Sequence, residues 1–153
     1  GAFDELAVPE RHAKILVGDS DDLVRHQALL DRLTLPVVVD HLGGVDPRRG
    51  LNQPGFQLLL KWLRQSHWWI LLANGDRRSA AGFPWDDIVP FGQALAAAAP
   101  NRALWASNWP PGLSGKAAYP DDVDLLELLN RFVPDEAARR KVLADNPSAL
   151  YFS

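Results

Sequence analysis

Four short polar clusters hold the residue types that could carry chemistry. They are Gly18-Asp19-Ser20, Asp40-His41-Leu42-Gly43-Gly44, Asn74-Gly75-Asp76-Arg77-Arg78-Ser79 and Ser107-Asn108-Trp109-Pro110-Pro111. An imidazole at the position of His41 can bind a metal, polarise a carbonyl or move a proton near neutral pH; on spacing alone, a ring that only hydrogen-bonds backbone explains it about as well. Arg77 and Arg78 beside Asn74 could grip a carboxylate through a planar fork, and a solvated turn is the competing reading. Asn108 differs in kind, because an amide takes up no proton at ordinary pH: it can orient a substrate or a water but cannot be a general base. Trp109 could line a pocket or simply lid the rim beside it. The other histidines, His12, His26 and His67, fall on helix or loop faces, where solvated rings are expected.

Each cluster follows an apolar run: Ala13-Val17, Pro36-Val39, Trp68-Ala73 and Arg102-Ala106. None of the runs alternates apolar with polar, which for strands this short implies burial on both faces, as in a parallel sheet covered by helices. Trp68, Trp69 and Trp105 lie within runs and are read as core. Between the runs, apolar residues fall at helical spacing over Asp21-Leu33, Pro54-Gln65, Trp85-Ala99 and Asp121-Val133, with a further helix over Pro134-Leu143 that Asn146-Pro147 ends or interrupts. Ser20-Asp21-Asp22 supplies a capping oxygen and negative charge to the first helix, and Trp85-Asp86-Asp87 after Pro84 gives the third an acidic first turn. The expectation is therefore an α/β fold of about four βα units in a single domain, residues 1–153. Crossovers of roughly 20 to 35 residues make all four strands parallel, so that the four clusters gather at one edge. Open sheet and barrel both satisfy this pattern. A closed (β/α)8 barrel takes about 250 residues, so this chain supplies about half of one.

Composition narrows the partners. The 153 residues carry a formal charge of −3 and no cysteine. Lysines and arginines are interspersed with acids, which leaves no basic face for a nucleic-acid backbone. No apolar run approaches the roughly 20 residues that span a bilayer, and the N-terminus lacks the order of a secretory signal; a cytoplasmic location without membrane contact is expected. Gly43-Gly44 is too short to be a P-loop or a dinucleotide fingerprint.

Five segments in order, PVVVDHLGGVDPRRG, FPWDD, RALWASNWPP, YPDD and PDEAARRKVLADNPSALYF, resemble the C-terminal half of the amidohydrolase-related metal-dependent hydrolases, most closely the 2-pyrone-4,6-dicarboxylate lactonase branch. The resemblance runs from about Arg11 to Phe152. It implies half of a TIM-type (β/α)8 barrel whose complete form carries an HxH pair on its first strand, a histidine on a later strand and an aspartate on the eighth. His41 matches the later histidine. Asn108 stands where the aspartate would, in a motif usually written G-[ST]-D-W-P-H and here Ala106-Ser107-Asn108-Trp109-Pro110-Pro111. Arg77 matches an arginine that holds a substrate carboxylate in the lactonases. The chain departs from the pattern in having no HxH pair, Gly44 in place of an arginine, Leu71 in place of a strand lysine and Val17 in place of a substrate-contacting tyrosine.

What the resemblance implies is a hydrolase acting on a lactone or ester of a small carboxylic acid, with His41 and Asn108 at the reacting centre and Arg77, Asn74 and Trp109 binding substrate. It is expected to be impaired alone, because the HxH half is missing and the aspartate position is Asn108. The alternative is a non-catalytic module that binds a small carboxylate or serves only as structure. No cofactor is expected of the chain by itself; a divalent metal such as zinc enters only when the missing half is supplied, since a catalytic site takes about three protein ligands and His41 alone is available. Four strands also leave open edges that invite pairing, so a homo-oligomer or a complementing N-terminal half is the expected partner.

Overall fold

The computed structural model describes residues 12–106 and 121–151. Strands β1 (Ala13–Ile15), β2 (Val37–Val39), β3 (Trp68–Leu71) and β4 (Ala103–Leu104) form one sheet in chain order. Every neighbouring pair is parallel, with Lys14 opposite Val38 and Val38 opposite Trp69. The strands are shorter than the apolar runs. Beyond Ile15 and Leu71 the chain leaves the ladder, although Leu72 N–H still donates to Leu104 O at 2.7 Å.

The pleat sorts side chains to two faces. Ile15, Val37, Val39, Trp68, Ile70 and Ala103 belong to the main core shared with the crossover helices, whereas Val38, Trp69 and Leu104 form a second cluster with Leu150. The main core gathers Leu23 of α1 (Asp21–Arg25), Leu30 of α2 (Gln27–Leu30), Phe56, Leu59, Trp62 and Leu63 of α3 (Pro54–Leu63), Phe91 and Leu95 of α5 (Val89–Ala98), and Leu128, Leu129 and Phe132 of α6 (Asp122–Phe132). Trp62 stacks on Trp68 at 4.5 Å between centroids, and its indole N–H donates to Asp31 Oδ1 at 2.7 Å. That pairing fixes an aromatic layer between α3 and β3 while satisfying the polar edge of the buried indole.

Several local expectations are corrected. The first helix breaks in two at His26, whose φ of −107° is not helical and whose Nδ1 lies 2.9 Å from Asp22 O, within the turn that joins the two pieces. Ser20 does not cap it: its hydroxyl donates to Gln53 Oε1 at 3.0 Å, and Asp19 Oδ1 accepts the Asp21 N–H instead. Asp87 turns away from α5 to accept the Ser79 hydroxyl and the N–H groups of Ala80 and Ala81. Asn146-Pro147 interrupts the last helix without ending it. Between α7 (Glu136–Arg140) and α8 (Asn146–Tyr151) lies a wide turn over Lys141–Asp145, a geometry that accommodates a proline with no N–H to give. The buried Asn146 amide donates to Ala103 O and Pro100 O at 2.9 and 3.0 Å, while Tyr151 meets His12 edge-on at 5.4 Å. α8 thereby ties the start of β4 to the residue before β1. Nor are the side histidines solvated rings: His12, His26 and His67 are all half-buried, and His67 Nε2 sits 2.9 Å from Leu33 O.

Candidate active site

Because all strands run the same way, their carboxyl ends share one edge, and three of the four polar clusters are found there. The turn after β2 has an unusual backbone. His41, Leu42, Gly43 and Gly44 all have positive φ, at 53°, 53°, 68° and 68°. Left-handed conformation costs an L residue about 1–2 kcal/mol, and two of these four have side chains. The surroundings hold the turn in place: Asp40 Oδ1 accepts the His41 N–H at 2.7 Å, Gly43 N–H returns to Asp40 O at 3.0 Å, and Gly44 O accepts the Ser20 N–H at 3.0 Å. Leu42 is fully buried in the core beneath. Strain maintained in this way marks functional turns, and here it presents the His41 ring at the mouth.

Asp40 is the charged anchor of this turn. It is 4% exposed, and its Oδ2 lies 3.3 Å from Lys14 Nζ and 3.4 Å from His41 Nε2. Burial holds the His41 imidazole below the usual histidine range; Asp40 pulls the other way, while Arg78, Lys14 and Arg77 add to the effect of burial. A ring in that state is neutral near pH 7 and keeps a nitrogen lone pair for a proton or a polarised water.

At the end of β3, Asn74 is buried with φ 62°, and its carbonyl starts the one-turn helix α4 (Gly75–Arg78) by accepting the N–H groups of Arg77 and Arg78. This helix replaces the expected loose surface turn. The two arginines diverge. Arg78 is partly buried and donates to Gly18 O at 2.8 Å and Val17 O at 3.5 Å, so it reaches from the end of β3 past β2 to the end of β1. Arg77 is exposed and makes no ion pair with another described residue. It faces a groove with Arg78, Arg48, Arg49, Asp19 and Asp46. Arg48 is held by both oxygens of Asp46, at 3.0 and 3.1 Å, and Arg49 by Asp21 at 3.0 Å. Arg77 is therefore the arginine in this groove whose guanidinium is held by neither an ion pair nor a backbone carbonyl among the described residues.

Asn108 and Trp109 lie outside the described residues. Trp105 and Ala106, just before them, line a small recess with Asn74, Gly75 and Asp76 at the same edge. Of the departures, Gly44 has a structural reason. A Cβ there would lie 2.9 Å from Asp19 N and from Val17 Cγ1, so the backbone of the β1 loop fills the space a side chain needs. Sequence reasoning missed Lys14 and the separate use of Arg78. The one polar residue in the AKI strand, placed by the two-residue period on the face opposite Ala13 and Ile15, was the available signal for Lys14.

No group of three His, Cys, Asp or Glu side chains with metal-site geometry occurs among the described residues. Asp40 and His41 are adjacent donors, but Asp40 is already engaged by Lys14 and by the His41 amide, so these residues do not fit a self-sufficient metal centre.

Residues 10–152 match the family described as amidohydrolase. The chain belongs to the amidohydrolase family. It is 46% identical over 117 residues to 4-sulfomuconolactone hydrolase of Rhizobium radiobacter, covering 76% of this chain and 39% of that protein. To D-galactarolactone isomerase of Agrobacterium fabrum it is 35% identical over 134 residues, covering 87% and 46%. A crystal structure of an Agrobacterium tumefaciens protein in its apo form superposes with a TM-score of 0.80 at 34% identity, over 92% of this chain and 49% of that one. This amidohydrolase chain thus spans less than half the length of the two named relatives, and the fold is a partial TIM-type barrel. No helix among the described residues is long and apolar enough to cross a membrane.

Proposed function

We propose that this chain is the C-terminal half-barrel, a single domain, of a hydrolase that opens a lactone or ester of a small carboxylic or sulfonic acid. The observation that carries the reading is the convergence at one sheet edge of a strained turn presenting a neutral imidazole, His41, and an uncommitted guanidinium, Arg77. Hydrolysis adds water to the carbonyl carbon and breaks the C–O bond of the ring, leaving a carboxylate and a hydroxyl. In this reading Arg77 holds an anionic substituent of the substrate and Asn74 lines the wall beside it. His41 hydrogen-bonds the attacking water or the carbonyl, and Asn108 and Trp109, which follow β4 in the chain, are assigned to the reacting centre and to substrate binding respectively. A divalent metal, when the complementary half of the barrel brings its own ligands, supplies Lewis acidity; this chain would offer His41 to it. With Asn108 in the aspartate position the chain lacks a carboxylate base there, a loss of about 10²–10⁴ in rate.

The test is hydrolysis of a pyrone dicarboxylate and of a sulfonated muconolactone by the chain alone, by its Asn108→Asp variant, and by each mixed with an amidohydrolase N-terminal half. Turnover requiring both the added half and Asn108→Asp supports the reading; turnover by the unmodified chain alone overturns the role given to Asn108. The second reading, a binding module, is favoured by Asn108 itself. Thermal stabilisation by the dicarboxylate, abolished in Arg77→Met and without turnover in any mixture, would select it. Light scattering bears on the partner: a dimer or a complex with the added half is expected, and a stable monomer that ignores the added half counts against a split barrel.

A further inference from the structure

We propose that Lys14 is a positioning residue for His41, acting through Asp40. Lys14 stands opposite Val38 in the β1–β2 register, so its side chain shares a face with Val38 and reaches along the neighbouring strand to Asp40. The ammonium ends 3.3 Å from Asp40 Oδ2. Among the described residues no other lysine or arginine lies within 4.0 Å of that carboxylate; the remaining partner is His41 Nε2 at 3.4 Å. A carboxylate that is 4% exposed requires a counter-charge or it reorients toward water. Lys14, itself exposed, supplies the counter-charge from the neighbouring strand, which leaves Oδ1 aimed at the His41 N–H, 2.7 Å away.

That hydrogen bond sits at the first residue of the left-handed turn, where His41 holds φ 53° against its own steric preference. With Lys14 removed, the carboxylate either rotates out toward solvent or takes the imidazole as its only partner. Both events unseat the turn at His41. Lys14 is linked to the His41 backbone through Asp40, while its charge also acts on the ring directly, so exchange of the His41 amide is the readout of geometry, and a charge at the end of a long stem is the property that matters.

The experiment uses the 153-residue chain in its free state, so it reads the placement of His41 without turnover, and its failure is separable from failure of the hydrolase reading. Amide hydrogen exchange and the ring ¹⁵N and ¹³C signals of His41 are measured by NMR in the wild type, Lys14→Met, Lys14→Arg and Asp40→Asn. Lys14→Met should speed exchange of the His41 amide at least about tenfold and shift its ring signals, with the Val38 and Ile70 amides changed less than about twofold; Lys14→Arg should restore both. The proposal is overturned if Lys14→Met leaves His41 unchanged while Asp40→Asn alters it. It is equally overturned if Lys14→Met accelerates all strand amides alike, or if Lys14→Arg fails to restore what Lys14→Met loses. Lys14→Gln gives the same readout should the methionine variant not fold.

Discussion

Replacing Gly44 with alanine isolates how tightly the turn at the mouth is packed. Two costs add. The first is conformational: at φ 68° an L residue is disfavoured by about 1–2 kcal/mol. The second is steric: the new methyl would stand 2.9 Å from Asp19 N, 2.9 Å from Val17 Cγ1 and 3.0 Å from Asp19 C. Two of these are backbone atoms, and they cannot retreat without straining the Ser20 N–H bond to Gly44 O and the grip of Arg78 on Gly18 O. Overpacking of this kind costs about 1–3 kcal/mol, so Gly44→Ala should destabilise by about 2–5 kcal/mol. Gly82→Ala is the internal control, because Gly82 has φ 76° and nothing within 4 Å of its missing Cβ; it should lose only the conformational part. Urea unfolding followed by tryptophan fluorescence reads both, and at a slope of about 2 kcal/mol per molar the two midpoints should differ by roughly 0.5–1.5 M. Equal midpoints for Gly44→Ala and Gly82→Ala would refute the steric argument. With it would go the conclusion that no side chain, including the arginine carried there by the lactonases this chain resembles, fits at position 44.

Three further outcomes are expected. Gln53→Leu removes a buried amide that accepts from Ser20 Oγ and Asp46 N–H and donates to Asp46 O and Gly50 O; at about 1 kcal/mol per lost bond, with water reaching some of the orphaned groups, the loss should be about 2–4 kcal/mol by urea unfolding, accompanied by faster proteolysis in residues 45–52. Arg78→Met should cost less than about 1 kcal/mol globally, since the guanidinium is half in water, yet it should raise exchange at Asp19 and Ser20 by NMR; unchanged exchange there would deny Arg78 its bracing role. His41 gives a signed pH dependence. Because burial holds its folded-state pKa below the unfolded value, the folded chain binds the proton less tightly. Stability from the neutral ring is complete above the unfolded pKa and is lost as pH falls through it toward the folded one. Melting temperatures of wild type and His41→Gln from about pH 8 to about pH 5 should therefore move against the wild type as pH falls, and a constant difference would contradict the assignment.

The layout of the fold was legible because it follows from short-range rules. Runs such as PVVV and WWIL lack polar alternation, which is the mark of strands covered on both sides, and the long crossovers leave no topology but a parallel one. Helix details were less legible wherever a side chain chose a distant partner over the local one. Ser20 reads as an N-cap by position, but Gln53 lies 33 residues away and takes its hydroxyl. Asp87 reads as a first-turn charge, but the loop at Ser79 to Ala81 offers it three donors. In both cases a buried or half-buried donor without another acceptor outweighs the modest gain of a cap.

At the site, position was readable and conformation was not. Parallel strands alone place Asp40-His41 and Asn74-Arg77 at one edge, and the sequence argument needs nothing more. That His41 and Leu42 accept left-handed backbone is set by groups remote in the chain: Leu42 is drawn into the core beneath the turn, and Asp40, held from the side by Lys14 on the neighbouring strand, catches the His41 amide. The two arginines show the same division. As a dipeptide they are equivalent, yet one turn of helix sends Arg78 back toward the Gly18 carbonyl and leaves Arg77 facing the groove. A guanidinium held by backbone carbonyls serves the scaffold, and one held by neither carbonyl nor counter-ion among the described residues is available to a ligand. Which arginine does which depends on the 100° rotation between successive helical residues, so the assignment becomes readable once the start of α4 at Gly75 is known.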